Sequence, residues 1–351
     1  MLDNKQLDEI KEHLDKAQNP IFFFDNDADG LCSFLLLARA YGKGKGVAIK
    51  SFPSLDKSYA RKLYELKPDY VFILDKPVVA RDFFEEAINL NLPVVWIDHH
   101  EVDNNNIEGI YCYNSMKGEK KSSEPVTYWC YQVAGKKEDL WLALIGCIGD
   151  NFLPEFVNEF KKEYPELLGS EIKTAFQALY KTEIGKITRI LNFGLKDRTS
   201  NVIKMIKFLL KVSSPKEILD EDTKIFSRFK QVDKKYQKLL EKVFLSQKET
   251  KDSKLKEKLI YFQYGGSLSL SGDIANELNY RFPDKIIVVA YISGDKANIS
   301  LRGKNVKEIT LKAISGLQNA TGGGHKDATG AKVSLEDLAE FKEKIESLVF
   351  K

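Results

Sequence analysis

The sequence is 351 residues long, which predicts two or three domains. Hydrophobic residues make up 43% and charged residues 30% of the chain, a balance that is typical of globular proteins and excludes wholesale disorder. With 54 basic and 51 acidic residues the net charge is only +3, so the overall charge does not indicate nucleic-acid binding and any basic groove has to be local.

The N-terminal part of the chain alternates short apolar runs with helical patterns. A charged amphipathic helix over 3–17 is followed by the apolar run 21–24, a polar turn, and a helix from about 31 to 41. The same order returns further on, with apolar runs at 70–74 and 93–97 and helices at 80–90, 125–133 and 140–148. Buried strands that alternate with helices predict a parallel sheet.

The character of the sequence changes twice after this region. From about 155 to 255 it is rich in Lys, Glu and Leu with helical periodicity, and from about 259 strand-like runs return. These later elements are strands at 259–262, 285–291 and 297–302 and helices at 271–280 and 335–348. We therefore predict an α/β protein with an N-terminal parallel-sheet domain (1–155), a helical connecting region (156–255) and a smaller C-terminal α/β domain (256–351).

Three aspartates at alternate positions follow the first apolar run. Asp25, Asp27 and Asp29 would repel one another unless a cation or hydrogen-bond donors neutralise them. Alternate residues of an extended segment point the same way, so Asp25 and Asp27 could both reach a metal, whereas Asp29 could be a third ligand or a helix cap. A polar turn with a cap is the alternative interpretation. A calcium loop is disfavoured, because Leu36 stands where the bidentate glutamate would be.

Carboxylates and histidines also follow later apolar runs. Asp98, His99 and His100 come directly after one run, and imidazole with carboxylate suits Mn²⁺, Zn²⁺ or Fe²⁺. Asp75 and Asp150 end other apolar stretches, and each alone could be a cap. Because ligands bind outside the carboxyl ends of parallel strands, we expect these groups to converge. Such a set fits two metals about 3.5–4 Å apart, which activate a water and stabilise charge on a phosphoryl group.

A glycine run near the C-terminus is a candidate substrate-binding element. Gly322, Gly323 and Gly324 precede His325 and predict a loop whose amides face an anion. Arg302, at the end of a predicted strand, could hold a phosphate with two hydrogen bonds. A plain flexible loop is the alternative interpretation of the glycine run.

Taken together, these motifs resemble the DHH superfamily of phosphoesterases with a C-terminal DHH-associated domain. The motifs that carry the resemblance are Asp25–Gly30, Asp75, Asp98–His100, Gly149–Asp150 and Gly322–His325. They cover residues 21–150 and about 260–333, and the length is similar to that of compact archaeal RecJ-like nucleases. One position departs from the pattern: Ile21 stands where many small-substrate members have a ligand histidine, which favours the RecJ-like branch.

The resemblance implies a centre with two divalent ions, of which Mn²⁺ is the usual metal and Mg²⁺ the alternative. The implied ligands are Asp25 and Asp75 for one ion, and Asp27, Asp75, His99 and Asp150 for the other, with Asp29 and Asp98 as further candidates. His100 would lie near the substrate phosphate and belong to the catalytic set. Arg302 and the segment Gly322–His325 would hold the substrate from the second domain.

We interpret the chain as a RecJ-like exonuclease that acts on single-stranded DNA or RNA. The alternative is a phosphodiesterase for short oligonucleotides, cyclic dinucleotides or nucleotide bisphosphates, and a second alternative is an inactive nucleic-acid-binding scaffold of a replication or repair complex. A replication or repair protein is a candidate partner, and the oligomeric state is left open. Since the sequence has neither a signal-peptide core nor an apolar run of about 20 residues, we expect a cytoplasmic protein without membrane contact.

Overall fold

The structure is a computed structural model that describes residues 1–50, 54–101, 108–117, 121–220, 224–249 and 257–350. The chain divides into two compact units, Met1–Phe229 and Lys230–Lys351, called unit 1 and unit 2 below. Among the described helices, none combines the length with the apolar composition that a membrane span requires.

Unit 1 is built on a parallel sheet. Its strands are β1 (Pro20–Asp25), β2 (Lys45–Ile49), β3 (Ser54–Leu55), β4 (Tyr70–Leu74), β5 (Val78–Val79), β6 (Val94–Asp98) and β7 (Ile110–Asn114). The main sheet has the order β2-β1-β4-β6-β7 with parallel pairings throughout, and β3 pairs with β5 separately. The central strands β1, β4 and β6 are apolar along almost their whole length because helices cover both faces of such a sheet.

The helices of unit 1 follow the strands in chain order. They are α1 (Asn4–Lys16), α2 (Ala28–Tyr41), α3 (Arg61–Leu66), α4 (Arg81–Asn89), α5 (Val126–Ala134), α6 (Leu140–Gly149), α7 (Val157–Glu163), α8 (Ala175–Lys181), α9 (Glu183–Leu195), α10 (Thr199–Leu209) and α11 (Lys224–Glu249). The boundary between the two units falls inside α11. Helix α2 is apolar on all sides because it packs between α5, α6 and the sheet.

Unit 2 is a mixed-sheet α/β domain. Its strands are β8 (Leu259–Gly265), β9 (Ile286–Ser293), β10 (Lys296–Arg302), β11 (Thr321–His325) and β12 (Ala328–Ser334), and its further helices are α12 (Ser271–Arg281), α13 (Val306–Ile314) and α14 (Leu338–Phe350). The sheet order is β11-β12-β10-β9-β8, in which β8 and β9 are parallel and the other neighbours antiparallel.

The predicted fold class is confirmed: a parallel sheet, then helices, then a smaller α/β domain. The expected loop at Gly322–Gly324 is wrong, because this run forms an edge strand whose backbone pairs with β12. The sequence interpretation also missed β2, β7 and β12. The domain boundaries at residues 155 and 255 stay a prediction, with the helices after residue 155 divided between the two units.

Candidate functional site

Polar side chains collect at the carboxyl ends of adjacent strands in unit 1. Strand β1 ends at Asp25, β4 is followed directly by Asp75, and β6 ends at Asp98. The register aligns Phe24 with Leu74 and Leu74 with Ile97, so these strand ends lie side by side. This is the edge of a parallel sheet at which ligands generally bind.

His99 is the centre of this cluster. Its Nε2 atom lies 3.3 Å from Asp75 Oδ1, 3.6 Å from Asp150 Oδ2 and 3.9 Å from Asp29 Oδ2. The ligand atoms of Asp75, His99 and His100 all lie within 4.8 Å of one another, as do those of Asp29, His99 and Asp150. The structure therefore brings together side chains from four separate segments that could hold a metal ion, and we call these five residues the His99 cluster.

Asp75 has an unusual environment within the His99 cluster. The residue is 2% exposed, and its Oδ1 atom has no hydrogen-bond partner among the residues that the structure describes. Its φ of 57° is in the left-handed region, which aspartate tolerates better than most residues. A buried carboxylate oxygen without a donor is costly, so this oxygen fits a position that a cation would occupy.

The carboxylates of the site share an unfavourable charge. Burial and the neighbouring carboxylates raise the pKa of Asp75 well above its usual value. Burial, together with Asp25 and Asp29, raises the pKa of Asp27 to about 7, and burial raises the pKa of Asp150 to about 6. Asp27 and Asp150 keep part of their surface in contact with solvent, which screens their repulsion, so Asp75 carries most of the effect. A divalent cation is the natural way to relieve such repulsion.

Asp98 positions His100. Asp98 Oδ1 lies 2.9 Å from His100 Nδ1, and Asp98 Oδ2 accepts hydrogen bonds from the His100 amide and from Asn114 Nδ2. Burial lowers the pKa of His100, but the hydrogen bond and charge of Asp98 outweigh this and raise the pKa to about 9. Both oxygens of Asp98 are thus engaged, which favours a positioning role over a metal-binding one.

Asn114 is a site residue that the sequence interpretation missed. It is 3% exposed, and its side-chain amide donates to Asp98 Oδ2 and to the carbonyl of His100. It lies opposite Asp98 in the register of β6 and β7. The signal was the short run Ile110–Asn114, whose first three residues are only partly buried or exposed, unlike the mostly buried runs of the central strands.

Asp27 and Asp29 are held by backbone amides. Asp27 caps α2 by accepting from the Gly30 amide at 3.0 Å, so the cap is Asp27, and the alternative of Asp29 as the cap is wrong. Asp29 instead accepts from the amides of Val126 and Thr127 at 2.9 and 2.7 Å. This contact ties α2 to the first turn of α5, where a helix offers unpaired N–H groups.

Asp25 has a basic partner. Its Oδ1 atom lies 2.9 Å from Lys76 Nζ and also accepts from the Asn26 amide at 2.9 Å. The side chain of Lys76 is only 1% exposed, whereas that of Asp25 is 27% exposed. Asp25 is therefore at the expected strand end, but its carboxylate is engaged by an ammonium group.

The candidate substrate-binding residues lie in unit 2. Arg302 ends β10, and its guanidinium donates to Asn276 Oδ1 at 2.6 Å and to the carbonyls of Leu301 and Thr329. Gly322, Gly323 and Gly324 are in edge strand β11. The side chain of His325 lies outside the part of the chain that the structure describes.

Two family models match the chain. The DHH family, N-terminal domain, matches residues 21–147, and the DHHA1 domain matches residues 256–351. The chain therefore contains a DHH domain followed by a DHHA1 domain. The segments of the His99 cluster lie within or directly after the first match, and Arg302 with the glycine run lies within the second. Members of this family are phosphoesterases. No curated protein sequence matches the chain significantly.

Solved structures with similar folds include RecJ from Thermus thermophilus in complex with Mn²⁺, with a TM-score of 0.70 and 15% identity over 98% of this chain and 54% of that one. The chain thus spans about half the length of that RecJ. A DHH domain of a member of the s1p family of ribosomal proteins has a TM-score of 0.71 and 16% identity, over 99% and 90%. A pGpG-specific phosphodiesterase from Vibrio cholerae has a TM-score of 0.50 and 13% identity. The match covers 95% of this chain and 99% of the phosphodiesterase. At such identities the likeness shows a shared fold.

Proposed function

We propose that the protein is a metal-dependent phosphodiesterase that acts as a RecJ-like exonuclease on single-stranded DNA or RNA. The observation that carries the proposal is the convergence of His99 with Asp29, Asp75 and Asp150 around one point at the sheet edge. Imidazole and carboxylate together suit Mn²⁺ and, less well, Mg²⁺. The matches to the DHH and DHHA1 domain models support a hydrolase that cleaves phosphoester bonds.

The proposed metal ligands are Asp27, Asp75, His99 and Asp150 for one ion, and Asp25 with Asp75 for the other. A bound divalent ion supplies an activated water and stabilises negative charge on the phosphoryl oxygens. The chain itself fixes the position of the ligands. The Ile97 carbonyl accepts a hydrogen bond from the Asp75 amide at 3.0 Å, and His99 follows directly after the end of β6. Asp75 is the central ligand of the proposal, because its Oδ1 atom has no donor within the part of the chain that the structure describes.

His100 is proposed to contact the scissile phosphate. Asp98 fixes the orientation of its ring through Nδ1, and Asn114 fixes both residues from β7. An imidazole held by a carboxylate is a good donor to a phosphoryl oxygen. Arg302, Gly322, Gly323, Gly324 and His325 are proposed to bind the substrate from the DHHA1 domain.

The decisive experiment is a Mn²⁺-dependent digestion of end-labelled single strands. DNA and RNA strands of several lengths are incubated with the full chain and with Asp75→Asn as the inactive control. We expect stepwise shortening from one end, and a rate at least about 100-fold lower for Asp75→Asn, since even residues that only support metal ligands cost about 10–100-fold. Internal cleavage, or equal activity of the variant, would contradict the proposal.

A phosphodiesterase for short substrates is the second candidate. The observation that favours it is the match in length to the pGpG-specific phosphodiesterase, each chain being covered almost completely by the other. Turnover of a dinucleotide that equals or exceeds that of a long strand would select this candidate over the exonuclease. Metal-dependent turnover of neither substrate, with nucleic-acid binding retained, would instead indicate the scaffold alternative.

Arg302 offers a test of substrate binding. Lysine keeps the charge but lacks the planar donor pair that matches a phosphate, so Arg302→Lys is expected to raise KM about tenfold with a small effect on kcat. Lys296→Ala, at the exposed opposite end of the same strand, is the matched control and should leave KM unchanged. Equal KM values for the two variants would remove Arg302 from the proposed binding site.

A further inference from the structure

Lys76 is a buried cation inside an acidic site. It follows Asp75 directly, and its side chain is 1% exposed. Its backbone is held in place because the indole N–H of Trp96 donates to the Lys76 carbonyl at 2.9 Å. Lysine is almost never fully buried unless its charge is paired, and here Asp25 Oδ1 lies 2.9 Å from the ammonium group.

The Lys76 ammonium group lies at the acidic edge of the sheet, beside Asp25. The charge of Asp25 acts on both Asp27 and Asp75, and that of Asp27 acts on Asp75, so these carboxylates share one electrostatic environment. An ammonium group is a compact positive charge with three donors, and it neutralises carboxylates as a monovalent ion does. It cannot act as a Lewis acid, so it stabilises the site without activating water.

The proposed ligands fit two ions unequally. Asp75, His99 and Asp150 approach one another closely, and Asp75 retains an oxygen that no donor among the described residues reaches. Asp25, which the family pattern assigns to the other ion, already accepts hydrogen bonds from Lys76 and from the Asn26 amide. A divalent ion bound to Asp25 would have to lie beside the buried ammonium, and two like charges at such a distance repel strongly.

We propose that the Lys76 ammonium takes the place of one of the two metal ions, so that the site binds a single divalent ion tightly, at Asp75, His99 and Asp150. The inference rests on the proposed function, because it presumes that the His99 cluster binds a divalent ion. It goes further in assigning Lys76 as a positioning residue that holds Asp25 and sets the number of ions. Asp25 then serves as the partner of Lys76 and is not a ligand of the tight ion.

The test is a count of bound metal that does not depend on activity. The full chain is stripped of metal and titrated with Mn²⁺ alone, while electron paramagnetic resonance reports free Mn²⁺ and distinguishes an isolated ion from a spin-coupled pair. We expect one tightly bound, isolated Mn²⁺ per chain, with any second ion at least about 100-fold weaker because of the adjacent ammonium. Two ions of similar affinity with a coupled spectrum would overturn the proposal and leave the proposed function intact.

Variants separate the roles of the residues. Lys76→Met keeps the volume and removes the charge, so it should bind a second Mn²⁺ and show the coupled spectrum. Lys43→Met is the matched control, since the Lys43 ammonium bonds to the backbone carbonyl of Ala17, and it should still bind one ion. Lys76→Met that still binds a single ion would overturn the proposal.

A comparison of two further variants tests the role of Asp25 even where Lys76→Met fails to fold. Asp25→Asn should leave the affinity of the tight ion within about threefold, whereas Asp75→Asn should lower it at least about 100-fold. Equal losses for the two variants would make Asp25 a ligand of that ion and overturn the proposal. Absence of any Mn²⁺ binding by the unmodified chain would instead overturn the proposed metal centre itself.

Discussion

At the residue scale, Asp75 lowers the stability of the metal-free fold while it provides a position for a cation. Its carboxylate is buried, one oxygen has no hydrogen-bond donor among the described residues, and its backbone is left-handed. Each feature raises the free energy of the folded chain, and none of them improves the packing. Asp29 is a useful contrast, because it is equally buried but both its oxygens accept from backbone amides.

We predict opposite effects of the same substitution at these two residues in metal-free protein. Asp75→Asn removes a buried carboxyl group whose ionisation opposes folding, and asparagine tolerates the left-handed backbone, so the free energy of unfolding should rise by about 1–3 kcal/mol. Asp29→Asn replaces one acceptor oxygen with a donor, so the free energy of unfolding should fall by about 1–3 kcal/mol. Urea unfolding in the presence of EDTA measures both. A loss of stability in Asp75→Asn would show that its carboxylate is satisfied without metal.

At the scale of elements, the site depends on how closely α2 approaches the end of β1. Gly30 lies in the first turn of α2, and a Cβ atom there would lie 2.6 Å from the carbonyl oxygen of Asp25. The backbone of Asp25 is fixed by pairing with β2, so it cannot move away easily. The glycine therefore allows the helix to begin directly after the strand that delivers the acidic residues.

We predict that Gly30→Ala displaces α2 from this strand end. The overpacking should lower the free energy of unfolding by about 1–3 kcal/mol, in spite of the higher helix propensity of alanine. Gly272→Ala is the matched control, because Gly272 also lies in the first turn of a helix and a Cβ there meets nothing closer than 3.9 Å. Thermal unfolding of the two variants gives the comparison. A Gly30→Ala protein as stable as the control would argue against close packing at this point.

At the scale of the whole molecule, the acidic site links stability to pH and metal. The pKa of Asp75 is raised, that of Asp27 is about 7 and that of Asp150 about 6, all above the ordinary value of 3.8. Between about pH 4 and about pH 7 the folded chain therefore binds more protons than the unfolded chain, and its stability falls as pH rises. His100, with its pKa raised to about 9, extends this fall, since its contribution is lost as pH rises above about 6.5.

We predict that Mn²⁺ stabilises unit 1 more strongly at about pH 8 than at about pH 5, because it binds the ionised carboxylates. All three tryptophans of the chain, Trp96, Trp129 and Trp141, belong to unit 1, so tryptophan fluorescence reports on this unit. The measurement is urea unfolding with EDTA and with Mn²⁺ at both pH values. The same unfolding series is repeated with Mg²⁺, the weaker candidate metal, in place of Mn²⁺. A Mn²⁺ effect that is independent of pH would contradict protonated carboxylates in the metal-free site.

Several elements were predictable from the sequence because their signals are local. The apolar runs that became β1, β4 and β6, the helices between them, and the aspartates and histidines at the strand ends are all visible in short windows. Strand β7 was not, because its outer residues face solvent, and neither was the edge strand β11, because its glycines resemble a loop. Strand β7 forms by pairing with β6, and β11 forms by pairing with β12. A short window of sequence does not show either pairing.

By itself, the sequence determined the α/β class, the order of the elements and the residue types that meet at the sheet edge, because periodicity and strand-end chemistry are encoded locally. Only the tertiary structure decided which of these groups are engaged by others. It paired Asp25 with Lys76, gave both oxygens of Asp29 to the start of α5, and left one oxygen of Asp75 without a donor among the described residues. Hydrogen bonds and ion pairs between distant segments depend on distances of a few ångströms, which no spacing along the chain specifies.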